Sequence, residues 1–235
     1  MFDRSKFPSR VVSMTDHERA RRLRPLRLIE TYWQELADET GDVPHRDSVD
    51  PRGIQDALEF AFLAERIAPR IARLRVAGAH LSDLMGMEVA GLPLSAFIMP
   101  DSRGAIGTGI ERMFSGEGAL HAEFRATQGL GRPDLRAHLL ILPLRSEAGA
   151  VDRALGALVT IGQIGRVPRR FDLSDLHLAP LAISAAPANA PAPDEAGMPG
   201  FAEPRIPFEA AQHVRRAEDA DKTRKPYLRL VVSND

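Results

Sequence analysis

The sequence predicts an α+β fold: a five-stranded antiparallel sheet with helices on one face, an amphipathic helix ahead of it and a disordered linker behind it. Three observations carry that expectation. Apolar residues recur at helical spacing up to residue 60, alternate over two short segments, and alternate again over three longer ones after a further helix. The stretch from 184 to 207, SAAPANAPAPDEAGMPGFAEPRIP, is rich in Pro and Ala and too poor in apolar side chains to offset chain entropy. The part between, residues 25–180 of 235, is long enough for one hydrophobic core.

Residues 1–24 form a basic N-terminal arm, with Arg4, Lys6, Arg10, Arg19, Arg21, Arg22 and Arg24 against Asp3, Asp16 and Glu18. Thr15 and Glu18 have the spacing of a capping box, so a short helix is expected there. Pro25 ends it and suits the first turn of a second helix. In that helix Leu26, Ile29, Trp33, Leu36 and Ala37 share one side, and Gly41 is the stop. Asp50-Pro51 pairs a cap with a helix-starting proline, and Ile54, Ala57 and Leu58 give the short helix that follows a buried side. Two short strands come next, Phe60 to Ala64 and Ile71 to Val76, with Glu65 to Arg70 as the turn.

After Gly78, His80 to Gly86 reads as a single helical turn closed by glycine. Residues 101–115 read as a helix with Ile106, Ile110, Met113 and Phe114 on one side. Three longer strands, Leu120–Ala126, Leu135–Leu144 and Ala154–Ile164, close the domain. Leu139 to Leu142 is expected to be buried on both faces.

Composition excludes several functions. Lys and Arg number 31 against 32 Asp and Glu, which argues against an overall basic nucleic-acid binder. The absence of Cys excludes disulfides, thiolate metal sites, cysteine nucleophiles and photochemistry that needs a cysteine adduct. The start, MFDRSKFPSR, lacks an apolar signal core and no long apolar run occurs, so a cytoplasmic location is expected. There is no H-E-x-x-H, and Gly104 to Gly109 is not followed by the lysine of a phosphate loop. With no G-x-S-x-G either, neither catalysis nor a metal site is expected.

Particular residues carry a resemblance across about 25–165. They are Tyr32-Trp33, Pro44, Arg46, Asp50-Pro51, the run Arg73-Leu-Arg-Val-Ala-Gly78, Leu84-Met-Gly86 and Gly91. In this order the sequence resembles the PAS fold, and more narrowly the short stand-alone PAS proteins of bacteria once catalogued as a domain of unknown function. The resemblance implies a sensory or interaction module that holds a small ligand between sheet and central helices, or dimerises through its sheet face and N-terminal helix.

On that analogy the pocket would be lined by Leu74, Val76, His80, Leu81, Leu84, Phe97, Ile110, Met113, Phe114, Phe124, Leu140, Leu142 and Val159. A packed interior without a ligand would contain the same residues. No cofactor is specified. Haem would need an axial ligand, for which His80 is the candidate, while His121 and His138 fall opposite Leu120, Phe124 and Leu139 and are expected to face outward. A flavin has no supporting residue set, and its cysteine-adduct form is excluded.

Leu26, Ile29, Trp33 and Leu36 either cover the domain's own sheet or pair with a second copy in a homodimer. After the linker and polar segment (181–221), residues 222–235 carry Tyr227, Leu228, Leu230 and Val232, a β-prone docking strand able to add to a sheet edge. The functional expectation is a signalling adaptor. It would bind a protein such as a histidine kinase, in motility or cell-cycle control by family analogy. The alternative is a small-molecule carrier or cryptic enzyme using the same cavity.

Overall fold

Alternation in the sequence becomes one sheet. β1 (Ala61–Ala68) and β2 (Ile71–Ala77) form a hairpin turning at Pro69-Arg70. β3 (Ala119–Ala126), β4 (Leu135–Arg145) and β5 (Val151–Gly162) form a meander, and β6 (Phe171–Ala179) returns to pair with β3. The spatial order is β2-β1-β5-β4-β3-β6, antiparallel throughout. The five expected strands are present, and β6 extends the sheet beyond β3. β1 also continues past Ala64, because Glu65 and Arg66 sit in the ladder opposite Arg73 and Ala72 instead of in the turn.

The chain divides into two units, Met1–Ala190 and Pro191–Asp235. The computed structural model describes residues 14–183, all in the first unit. The arm before residue 14, the linker beyond 183 and the docking strand 222–235 lie outside the described residues.

Helices cover both faces. On one face lie α3 (Ala79–Met85), short 3-10 turns at Leu94–Phe97 and Pro100–Ser102, and α4 (Arg103–Phe114). On the other lie α1 (Met14–Arg22), α2 (Arg24–Thr40) and a 3-10 stretch at Pro51–Ala57. α1 begins at Met14, so Thr15 falls within its first turn instead of preceding it. Pro25 opens α2, where its missing N–H has no helical partner to lose. Gly41 closes α2 in the left-handed region at φ 67°, with its N–H on the Ala37 carbonyl. The Asp50 carboxylate accepts from the Arg52 N–H at 2.9 Å, as its cap position predicts. No helix among the described residues is long and apolar enough to cross a membrane.

Candidate functional site

On the PAS analogy a ligand, or a packed core in its place, would lie between the sheet and α3–α4. Leu74, Leu81, Leu84, Phe97, Ile110, Met113, Phe114 and Phe124 converge there. They pack with Phe62, Ile106, Leu120, Leu139, Ile141, Leu158 and Phe171 into one contiguous apolar cluster of buried side chains. Interiors packed in this way leave few voids larger than a water molecule.

Four further pocket candidates lie elsewhere. Leu140, Leu142 and Val159 belong to the opposite face. Strand side chains alternate, and it is Leu139, Ile141 and Leu158 that point to α3–α4. Val76 is on edge strand β2, paired with Leu63, and is 57% exposed.

His80 stands at the rim of the core. Its Nε2 lies 3.0 Å from the Thr160 hydroxyl, and its ring meets Phe60 edge-on at 4.9 Å. Burial pushes this imidazole below the usual histidine range, and Asp83 opposes the shift. The hollow beside it, about 560 Å³, is bounded by Phe60, Val159 and Thr160 below and by Arg21 and Arg22 of α1 above. His80 therefore faces a surface groove.

The opposite face is built on α2. Ile29 and Trp33 are 0% and 1% exposed, packed with Ala37 against Leu140, Leu142, Leu144, Leu155 and Ala157. Of the two readings of this helix, it covers its own sheet. Leu26 and Leu36 remain half-buried on its flanks. Glu30 of α2 meets His121 at 3.5 Å, and that imidazole holds the Glu30 carboxyl below its usual range. His121 stacks on His177 of β6 with ring centroids 5.1 Å apart.

His138, expected outward, is buried on this same face. Its Nδ1 lies 3.5 Å from Glu123, which also meets Arg19 of α1 at 3.7 Å. The alternation placed His138 on the correct face. What it did not reveal was that α1 and α2 cover that face. Burial pushes His138 below the usual histidine range, against the pull of Glu123.

Two features were missed in the sequence. Arg169 is 1% exposed and donates to the carbonyls of Ile164, Thr127 and Pro133, tying the β3–β4 loop to the segment before β6. Glu65 gathers Arg73, Arg75 and Arg153 on the α2 side of the sheet. The alternation of Arg73 and Arg75 with apolar residues was the available signal for the second.

A family model described as a PAS domain matches residues 21–159. No curated protein matches the chain. Among solved structures, an RNA-binding light-oxygen-voltage receptor is 19% identical, with a TM-score of 0.35. The match covers 49% of this chain and 34% of the receptor, so the chain spans about a third of that protein's length. A light-oxygen-voltage domain studied with a flavin analogue is also 19% identical, over 48% of this chain and 84% of that one, with a TM-score of 0.35. The dark structure of the aureochrome1 light-oxygen-voltage domain is 13% identical over 46% and 80%, with a TM-score of 0.34. The family model spans more than half of the chain and takes in the β1–β2 hairpin, α3, α4, β3, β4 and most of β5: this chain belongs to the PAS domain family.

Proposed function

We propose that the chain is a cytoplasmic signalling adaptor that acts by binding other proteins and catalyses no reaction itself. The observation that carries this reading is the packed interior. The side chains that would line a ligand cavity between sheet and helices instead pack on one another. A domain with that space filled responds through its surface, where a partner's docking shifts a pre-existing equilibrium. The same observation disfavours a carrier or enzyme working in that cavity.

The proposed partner is a signalling protein of the histidine-kinase type. A homodimer would use surface beside α2, such as half-buried Leu26 and Leu36, since Ile29 and Trp33 are spent on the domain's own sheet. The segment carrying Tyr227, Leu228, Leu230 and Val232 is proposed as a strand offered to a partner's sheet edge.

The test is autophosphorylation of purified histidine kinases with and without the full chain. A saturable change in kinase rate, with the chain recovered chemically unchanged, is the expected result. No effect on any kinase, together with turnover of a small metabolite by the chain alone, would overturn the reading.

A further inference from the structure

The outer face of the β1–β2 hairpin is unlike the rest of the surface. Among the described residues, four of the six large apolar side chains that stand exposed lie on this hairpin or just before it: Leu58, Ile67, Ile71 and Val76. A hollow of about 230 Å³ opens there, lined by Val49, Ile54, Leu58, Leu63, Val76 and others. That is below the size of ordinary small-molecule sites and suits one large apolar side chain.

Charge sits beside it on the same face. The register puts Leu63 opposite Val76 and Glu65 opposite Arg73, and a bulge between those pairs adds Arg75. Glu65 lies 3.4 Å from Arg73 and 3.4 Å from Arg153, and it also pairs with Arg75. Asp152 meets Arg153 at 3.3 Å. Three guanidinium groups thus share two carboxylates. By count they carry more donors than those oxygens can accept, and the Arg73 Nε and the Asp152 Oδ1 are both buried without a hydrogen-bond partner. The surplus is positive, and guanidinium forks suit further carboxylates.

Addition of a strand at the β2 edge is disfavoured. Leu74 already donates to the Leu92 carbonyl at 2.9 Å and accepts from Gly91 at 2.8 Å. A partner therefore approaches the face and not the edge.

We infer that this face docks an acidic segment of a partner protein. One large apolar side chain of that segment fills the Leu58–Leu63–Val76 hollow, and its carboxylates meet Arg73, Arg75 and Arg153. The proposal rests on the adaptor reading and deepens it by naming the surface and the partner's chemistry.

The test uses amide NMR spectra of the isotope-labelled full chain. The probe is a synthetic peptide of Glu and Asp around two leucines, compared with its counterpart bearing Lys at every acidic position. The acidic peptide is expected to shift Leu58, Leu63, Arg73, Arg75 and Val76, and the lysine peptide to shift none. Arg75→Glu and, separately, Val76→Asp should each weaken binding by roughly tenfold or more, as hot-spot losses do. Both side chains are more than half exposed, so the remaining spectrum should stay unchanged. Shifts elsewhere, shifts indifferent to both substitutions, or equal binding of the lysine peptide would overturn the proposal. So would shifts at these residues that grow with protein concentration alone, which would make a second copy the occupant. Kinase regulation that persists when this surface binds nothing would leave the adaptor reading standing and remove only the surface.

Discussion

Trp33 donates its indole N–H to the main-chain carbonyl of Pro143 at 2.7 Å, within the buried layer between α2 and the sheet. β3 pairs with β4 only as far as Ile141, so a helix side chain satisfies this carbonyl where no neighbouring strand does. The relationship fixes α2 on the sheet by both packing and a directional bond. Trp33→Ala should cost about 3–5 kcal/mol of unfolding free energy. Trp33→Phe keeps most of the apolar contact but strands the carbonyl, and should cost about 1–3 kcal/mol. Urea unfolding followed by far-UV circular dichroism measures both. Equal, small effects would mean that α2 is not anchored through this residue.

Met113 is fully buried between α4 and the sheet. In a packed interior, Met113→Ala removes contacts that nothing replaces and should destabilise by about 2–5 kcal/mol. In an open ligand chamber the same change would only enlarge a void. Denaturant midpoints of Met113→Ala against Met113→Leu, which preserves volume, distinguish the two.

Gly78 permits a close backbone approach. A methyl group there would run into the main-chain carbonyls of Leu58 and Glu59, neither of which is a flexible side chain. Gly78→Ala should therefore lower stability by about 1–3 kcal/mol, the ordinary cost of overpacking. Gly104→Ala is the control, since a methyl there meets nothing within 4 Å. A thermal melt of each variant reads the difference.

Acid should weaken the fold in two stages. Burial holds His80 and His138 below the ordinary histidine value of 6.5. The unfolded chain then binds more protons over the window below 6.5, so their contribution is complete above that pH and is lost as pH falls through it. Glu30, Asp42 and Glu65 lie below their ordinary values of 4.5, 3.8 and 4.5, through His121, Arg145 and Arg75 respectively, and add a further loss in stronger acid. Urea midpoints measured from about pH 8 down to about pH 5 should fall, and less steeply in His138→Leu. An unchanged slope in that variant would remove His138 from the account.

Much of this was legible in the sequence, and the misses have physical causes. Helical spacing of Ile29, Trp33 and Ala37 gave α2 and its buried side correctly. Gly78 and Gly86 marked real constraints, a close approach and a left-handed cap. Leu139 to Leu142 is apolar in both phases, so its pattern could not say which two residues faced α3–α4. The choice of Leu140 and Leu142 was the wrong phase. β6 escaped because its apolar residues Leu173, Leu176 and Leu178 break the period of two. The bulge opposite Glu123 and Phe124 inserts a residue between the first pair. The Glu65 cluster was hidden because Glu65 itself lies beyond the expected end of β1 and Arg153 comes from a strand distant in sequence.

On the proposed function, the PAS interior is filled by the chain's own side chains and signalling runs through the outside. Native mass spectrometry of the full chain, purified without added ligands, tests it most directly. The expected result is the mass of the bare polypeptide or of an integral multiple of it. A stoichiometric extra mass, released on denaturation, would contradict the filled interior and make this protein a ligand-binding sensor.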